Sequence, residues 1–323
     1  MIKTILVTGG AGFIGSHLID TLLAKQIKVI CLDNFDGFYS RATKENNIKA
    51  ASGSNLLTFI EGDIKNKNLV ERIFKDHKID LVIHLAAKAG VRPSILDPQE
   101  YFNVNLNGTI NLLEAMRENN IQKLIFASSS SIYGNNEKIP YSESDDVSFP
   151  ISPYAASKKG GELLTYNYHY LYHLNVINLR FFTVFGPRQR PDLAIHKFFN
   201  NLYNNTSIDM YGDGSTSRDY TFVNDTVSGI LGAINYLETN SNVYEIINLG
   251  NHTPVKLSEL ITLIEEVTSK KFLIKKLPMQ MGDVNVTFAD ISKAQKLLNY
   301  KPGTTLKEGL VVFKEWYEKT KNL

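Results

Sequence analysis

The sequence is short of cysteine, of net charge and of long apolar runs. Its 323 residues include one cysteine, Cys31, which excludes an internal disulfide and a cysteine zinc site. Lysines and arginines number 35 and acidic residues 33, so the charge gives no indication of nucleic acid or an anionic membrane as a partner. No apolar run approaches the ~18 residues of a membrane-spanning helix. A strand is predicted from Ile5, with no basic segment or cleavage signal before it, and we therefore expect a cytoplasmic protein.

The first 33 residues have the pattern of a βαβ unit. An apolar strand at 5–8 precedes glycines at 9, 12 and 15, a helix at 16–25, and a second strand at 29–32, in which Cys31 is expected to be a buried thiol. The glycines permit a tight turn, close approach of the backbone to a pyrophosphate, and close packing of the helix on the sheet. The N-terminus of that helix would offer N–H groups to phosphate.

Asp33 ends the second strand, eighteen residues after Gly15. A carboxylate here accepts hydrogen bonds from the adenosine ribose hydroxyls and disfavours a 2′-phosphate, so the sequence predicts NAD rather than NADP. Asp63, after the third strand, has two interpretations of nearly equal weight. It could contact the adenine amino group, or it could cap its own loop.

Strands and helices alternate along the remaining first half, which predicts a Rossmann-like, doubly wound parallel sheet of the α/β class. The further predicted strands lie at 57–61, 81–85, 124–127, 176–182 and 244–249. The further predicted helices lie at 69–74, 100–119, around Tyr154, and at 196–203, 224–236, 257–268 and 307–317. We assign the NAD-binding domain to 1–178 and a smaller, mainly substrate-binding domain to 179–323, from which the segment 244–250 returns to the main sheet.

The stretch from Tyr154 to Lys158 carries the predicted chemistry. Side chains four apart on a helix lie on one face, and a nearby ammonium should favour the phenolate and lower the pKa of the tyrosine. Tyr154 is therefore a candidate general base. Ser129, in the run of four serines after the strand at 124–127, could relay a proton to it. Gly9, Asp33, Ala86 and the serines all follow strands, where ligands of parallel sheets bind.

Other polar residues have weaker signals. Arg190 and Arg218 lie in predicted loops and could bind phosphate or carboxylate in a forked geometry, although each is an ordinary surface arginine by default. His84, inside a strand, is interpreted as a hydrogen-bonded core residue. No cluster has the spacing of metal ligands, so no metal site is predicted.

These pieces together resemble the extended short-chain dehydrogenase/reductase superfamily, and within it the nucleotide-sugar epimerases. The resemblance covers nearly the whole chain. The segments that carry it are 8–17, 32–34, 84–87, 128–134, 152–158, 180–187, 218–220 and 282–283.

The resemblance implies NAD and a UDP-sugar as ligands, with Tyr154, Lys158 and Ser129 as catalytic residues. The implied NAD-binding residues are Gly9, Gly12, Phe13, Ile14, Gly15, Asp33, Asn34, Asp63, Ile64, Leu85, Ala86, Ala87, Lys88, Asn105, Ser128, Tyr154 and Lys158. The implied substrate-binding residues are Arg92, Ser129, Ser130, Thr183, Arg190, Met210, Arg218 and Asp283.

The subfamily follows from the serine run. Related 4,6-dehydratases and decarboxylases carry acids where Ser130 and Ser131 stand, so redox-neutral 4-epimerisation is implied. The loops at 188–194, 278–284 and 289–294 resemble UDP-glucuronate 4-epimerases, whereas Gln189 stands where that family usually has an aromatic residue. Gln280 and Thr183 both differ from UDP-galactose 4-epimerases.

The implied activity is interconversion of UDP-glucuronate and UDP-galacturonate through a 4-keto sugar, in polysaccharide biosynthesis. Two alternatives stay open: a UDP-glucose or UDP-N-acetylglucosamine 4-epimerase, and a non-catalytic NAD-binding sensor or scaffold. The resemblance also implies a homodimer, formed through helices at 106–116 and 155–171.

Overall fold

The computed structural model of the chain describes residues 2–278 and 285–322. In chain order the strands are β1 (Thr4–Thr8), β2 (Lys28–Asp33), β3 (Leu57–Glu61), β4 (Leu81–His84), β5 (Lys123–Ser129), β6 (Asn175–Phe181), β7 (Thr183–Phe185), β8 (Ile208–Tyr211), β9 (Ser217–Phe222), β10 (Tyr244–Leu249), β11 (Pro254–Lys256) and β12 (Ile274–Leu277). The α-helices are α1 (Phe13–Ala24), α2 (Arg41–Ile48), α3 (Lys67–Asp76), α4 (Val91–Leu96), α5 (Pro98–Phe102), α6 (Gly108–Glu118), α7 (Pro153–Tyr172), α8 (Ala194–Tyr203), α9 (Val223–Thr239), α10 (Leu257–Thr268), α11 (Ser292–Leu298) and α12 (Leu306–Lys321). None of the described helices is long and apolar enough to cross a lipid bilayer.

Seven of the described strands form a parallel sheet in the order β10-β6-β5-β4-β1-β2-β3. Strand β1, between β4 and β2, places Val7 opposite Cys31 on β2 and Ile83 on β4. All three side chains are fully buried, because helices cover both faces of the sheet. The predicted Rossmann-like fold is therefore confirmed, as is the buried thiol of Cys31.

The predicted elements of the main sheet lie where the sequence pattern indicated. β3 has the predicted bounds, and the strand predicted at 244–249 is β10, in which Tyr244 pairs with Val176 of β6. The helix predicted at 100–119 is different, because a π-helical segment, Asn103–Asn107, separates α5 from α6. Inside it Asn105 turns its side chain towards Lys88 and Ser157, an interaction that the spacing of apolar residues does not reveal.

The second half contains short strands that the sequence pattern missed. β7, β9 and β11 form one small sheet, and β8 pairs with β12 in another. Four of these five strands have three or four residues, too few for an alternating pattern to be recognised. The fifth, β9, has six residues and contains Arg218, which was predicted to lie in a loop because glycines and serines, typical of turns, precede it. An apolar cluster that includes Phe185, Phe199 and Phe313 packs in this half, apart from the two clusters on the faces of the main sheet. The domain boundary at 178/179 stays a prediction.

Candidate active site

The glycine turn between β1 and α1 packs so closely against its neighbours that a side chain would clash at two positions. Gly9 has a φ of +72°, and a Cβ there would lie 2.7 Å from the backbone nitrogen of Ala86. A Cβ on Gly15 would lie 2.3 Å from the carbonyl oxygen of Gly9. Gly12 is the N-cap of α1 and supplies no side-chain cap, so N–H groups of the first helical turn are available to an anion. The turn therefore fits the pyrophosphate of a dinucleotide.

Asp33 is held at the end of β2 with only 6% of its surface exposed. Its carboxylate accepts hydrogen bonds from the N–H groups of Ala11 (3.0 Å) and Phe35 (2.9 Å), and the Lys44 ammonium lies 3.7 Å away. Each carboxylate oxygen has a further lone pair for a ribose hydroxyl. Lys44, on the unpredicted helix α2, reduces the negative charge that a 2′-phosphate would meet.

Asp63 caps its own loop and also lines the cavity, while its contact with adenine stays a prediction. It lines the same cavity as Asp33 and also accepts hydrogen bonds from the N–H of Lys65 (2.8 Å) and the side chain of Asn34 (3.1 Å). Lys88 lines the same cavity and forms an ion pair with Asp36 at 3.0 Å.

Tyr154 lies in the first turn of α7. Ser152 caps that helix by accepting a hydrogen bond from the N–H of Ala155 at 3.1 Å. Burial raises the pKa of Tyr154, while its hydrogen bond with Ser129 and the charge of Arg190 act in the opposite direction. The lowering that the Lys158 ammonium was expected to cause is therefore not the net result. Lys158 instead donates to the carbonyl oxygen of Ala127 at 2.7 Å, and burial lowers its own pKa to about 7.

The serine turn, residues 128–133, follows β5 beside Tyr154. The hydroxyl of Ser129 accepts from the N–H of Ser131 at 3.2 Å, and Ser130 begins a 3₁₀ turn, Ser130–Tyr133. The hydroxyl of Ser128 donates to Glu162 at 2.7 Å, so this residue has a structural contact besides its predicted cofactor-binding role. The turn thus presents hydroxyl groups, and no carboxyl group, to Tyr154.

Arg190 reaches the site from the loop before α8. Its guanidinium binds both oxygens of Asp192, at 3.0 and 2.8 Å, and stands 5.2 Å from the ring centre of Phe38. The preceding Gln189 is 2% exposed, and its side chain donates to the carbonyl oxygen of Val184. In this chain Gln189 therefore fixes the loop that carries Arg190.

The structure brings most of the predicted residues to a single cavity of about 440 Å³. Those on its wall are Gly9, Gly12, Phe13, Ile14, Gly15, Asp33, Asn34, Asp63, Ile64, Leu85, Ala86, Ala87, Lys88, Ser128, Ser129, Ser130, Tyr154, Lys158, Thr183 and Arg190. Tyr39, Lys44, Phe181 and Leu193 also line it and were missed by sequence reasoning. The described residues contain no group of three side chains placed to hold a metal ion.

Four predicted residues are not brought to that cavity. Asn105 lies behind its wall, where its amide oxygen accepts from the N–H of Lys88 at 2.8 Å. Arg92 stands 5.2 Å from the ring centre of Tyr211. The other two are Met210, which is buried in the second-half cluster, and Arg218, whose guanidinium donates to the carbonyl oxygen of Ser217. The predicted Asp283 lies outside the described residues. Roles for these residues stay predictions.

His84 is the core residue that the sequence indicated. Its two ring nitrogens lie 2.7 Å from the hydroxyl of Thr8 and 3.0 Å from that of Thr109. Burial lowers the pKa of His84 to about 3, so it is neutral at physiological pH.

The family described as GDP-mannose 4,6-dehydratase matches residues 6–312 of the chain. The chain belongs to this family. Within the family, an uncharacterised protein of Methanocaldococcus jannaschii is 46% identical over 99% of this chain and 98% of its own length. A UDP-glucuronate 4-epimerase of Thermodesulfobacterium geofontis is 41% identical over 96% of this chain and 95% of its own length.

A crystal structure of UDP-glucuronic acid 4-epimerase from Bacillus cereus, in complex with UDP-glucuronic acid and NAD, is similar throughout. Its TM-score is 0.91 and its identity 37%, over 98% of this chain and 99% of that one. Membership of the family is thus shared with proteins named for dehydration and for epimerisation.

Proposed function

We propose that this chain is an NAD-dependent 4-epimerase that interconverts UDP-glucuronate and UDP-galacturonate. The observation that carries the proposal is the single cavity in which the glycine turn, Tyr154 with Ser129, and Thr183 meet. The relatives named UDP-glucuronate 4-epimerase, which match almost the whole chain, support the same substrate.

Bound NAD would supply a hydride acceptor for C4 of the sugar and a donor for its return to the opposite face. Tyr154 removes the proton of the C4 hydroxyl and later returns it, and the Ser129 hydroxyl, hydrogen-bonded to Tyr154, relays that proton. Lys158 holds α7 against β5 through the carbonyl oxygen of Ala127. The ribose hydroxyls would bind Asp33, and the pyrophosphate would bind the glycine turn.

A uronate places a special demand on the site. A 4-keto sugar with a carboxylate on C5 is a β-keto acid, which loses carbon dioxide readily. Thr183, Ser129 and Ser130 line the cavity and carry hydroxyl donors. We assign to them the task of holding the carboxylate out of the geometry that favours its loss.

The experiment that tests the proposal is incubation of the purified protein with a panel of UDP-sugars, without added NAD, followed by NMR of the products. The proposal expects a mixture of the two uronates. A product from UDP-glucose or UDP-N-acetylglucosamine alone would establish a neutral-sugar epimerase, and no product from any sugar would favour a non-catalytic NAD-binding protein.

A homodimer is part of the proposal, with α7 at the contact. The outer side of this helix exposes apolar surface: Leu163 is 59% exposed, Tyr166 50%, Tyr170 69% and Leu171 51%. Exposed apolar residues in such a continuous patch favour association with another protein surface. Light scattering after size exclusion tests this, and Tyr166→Glu with Leu163→Glu is expected to give a monomer.

A cytoplasmic location and a role in polysaccharide biosynthesis complete the proposal. Both come from the sequence. Cell fractionation tests the first, and analysis of uronic acids in surface polysaccharide after deletion of the gene tests the second.

A further inference from the structure

A buried ion pair lies beneath the serine turn. Glu162 on α7 and Arg180 on β6 are each 1% exposed. The guanidinium donates from Nε to one carboxylate oxygen and from a terminal nitrogen to the other, both at 2.9 Å. Their forked geometry connects the helix that carries Tyr154 to the sheet.

The pair also holds the serine turn at both ends. At its first residue, the hydroxyl of Ser128 donates to Glu162 at 2.7 Å. At its last residue, Arg180 donates to the phenol oxygen of Tyr133 at 2.9 Å and stands 4.9 Å from the centre of that ring. Ser129 lies between these two anchors.

The cost of such a pair makes a purely stabilising role a poor explanation. Removing two charges from water costs roughly as much as their attraction returns, and well-packed apolar replacements are often equally stable. Buried ionic groups can instead select one geometry over close alternatives. Here that geometry is the position of β5, which ends at Ser129, relative to α7, which carries Tyr154.

We propose that Glu162 and Arg180 are positioning residues that hold Ser129 against Tyr154. The proposal rests on the proposed epimerase function. Glu162 lies eight residues after Tyr154 on the same face of α7. The helix that carries Tyr154 therefore also carries the carboxylate that binds Ser128 of the serine turn.

The Glu162–Arg180 pair should also affect the pH dependence of the reaction. The hydrogen bond between Ser129 and Tyr154 opposes the effect of burial on the pKa of Tyr154. The other groups that face the phenol are Arg190, which acts in the same direction as Ser129, Lys158 one helical turn away, and Tyr101, whose ring centre lies 6.2 Å from that of Tyr154. Loss of the ion pair should weaken the Ser129 contact and raise the pKa of Tyr154. The acid side of the rate profile then moves to higher pH, because the base must be deprotonated to act.

The central test compares the wild type with the apolar double variant Glu162→Leu with Arg180→Met, which leaves no buried charge unpaired. A misplacement of about 1 Å lowers turnover by about 10²-fold, so kcat should fall by that amount while KM and NAD retention change little. The acid side of the kcat profile should move up by about one pH unit.

Thr165→Val is the matched control. The hydroxyl of Thr165, fully buried on α7, lies 2.9 Å from the side-chain oxygen of Asn178 on β6 and 2.9 Å from the backbone carbonyl oxygen of Glu162. It joins the same two elements without a hydrogen bond to the serine turn. We expect a wild-type kcat and pH profile for this variant. An equal loss in Thr165→Val and in the double variant would overturn the proposal in favour of a general structural role.

Two milder variants keep the test decisive if the double variant does not fold. Ser128→Ala and Tyr133→Phe each remove one anchor and leave the ion pair in place. Each should lower kcat and move the pH profile in the same direction as the double variant. Normal kcat values and pH profiles in both variants, with an active wild type, would overturn the positioning role of the ion pair. An inactive wild type would instead overturn the proposed function itself.

Discussion

The ammonium of Lys158 lies 2.7 Å from the carbonyl oxygen of Ala127, two residues before Ser129 on β5. The ammonium also stands 5.1 Å from the ring centre of Phe126, and the residue is only 4% exposed. Lys158 thus connects the helix of Tyr154 with the strand of Ser129. The contact gives this lysine a structural role beside the chemical one that its spacing from Tyr154 predicts.

The first prediction concerns the stability of protein stripped of nucleotide. Burial lowers the pKa of Lys158 from 10.5 to about 7, so the unfolded chain binds the extra proton between these values and wild-type stability rises with pH across that range. Lys158→Met lacks this contribution. The Tm of Lys158→Met relative to that of the wild type should be highest near pH 7 and should fall by about 2 °C or more by pH 9.5.

Lys159→Met is the matched control for this measurement, since Lys159 neighbours Lys158 but its side chain is 25% exposed. Its Tm difference from the wild type should change less with pH. A Lys158→Met difference that stays constant from pH 7 to 9.5 would show that the ammonium is not destabilised by burial.

The second prediction is that Tyr154→Phe folds normally, retains NAD and loses turnover. Only the proton-accepting oxygen is removed, so kcat should fall by about 10³-fold or more, while bound NAD is detected by absorbance after denaturation. Tyr166→Phe, on the exposed side of the same helix, should keep normal turnover. A Tyr154→Phe variant with near-normal kcat would remove Tyr154 from the mechanism.

The third prediction concerns the choice between NAD and NADP. The Asp33 carboxylate should favour NAD, and Asp33→Ser should reduce the ratio of the two dissociation constants by about tenfold, equal to the loss of one charge-assisted hydrogen bond. Lys44, 3.7 Å from that carboxylate, remains to attract a 2′-phosphate in the variant. Calorimetric titration of stripped protein with both nucleotides measures the ratio, and a wild type that prefers NADP is incompatible with the role assigned to Asp33.

The fourth prediction concerns the carboxylate of the substrate. Thr183→Val keeps the shape of the side chain and removes one hydroxyl donor. A hydrogen bond to a charged group contributes about 1.5–3 kcal/mol, so kcat/KM for UDP-glucuronate should fall by about 10- to 100-fold. Turnover of UDP-glucose should change little, and some decarboxylated pentose should appear by NMR. An equal effect on both sugars would show that Thr183 does not bind the carboxylate of the substrate.

The sequence predicted the parts of the site that local patterns specify. The glycines before α1, Asp33 at the end of β2, and the spacing of Tyr154 and Lys158 each belong to one element and the turn next to it. Their meeting in one cavity follows from the parallel sheet, because the carboxyl ends of the strands share an edge.

Pairings between distant segments could not be predicted in the same way. The ion pair of Glu162 with Arg180 joins different elements, and its one signal was that Glu162 continues the spacing of four from Tyr154 and Lys158. The expected lowering of the Tyr154 pKa also failed, because the sequence shows the ammonium four residues away but neither the burial of the phenol nor the turn of Lys158 towards Ala127.

The most direct measurement uses UDP-glucuronate labelled with deuterium at C4, incubated with the purified protein in ordinary water without added NAD. The proposed function predicts UDP-galacturonate that retains deuterium at C4, because the hydride leaves and returns within one active site, and it predicts a much lower rate with UDP-glucose. Absence of UDP-galacturonate, or faster turnover of UDP-glucose, would contradict it.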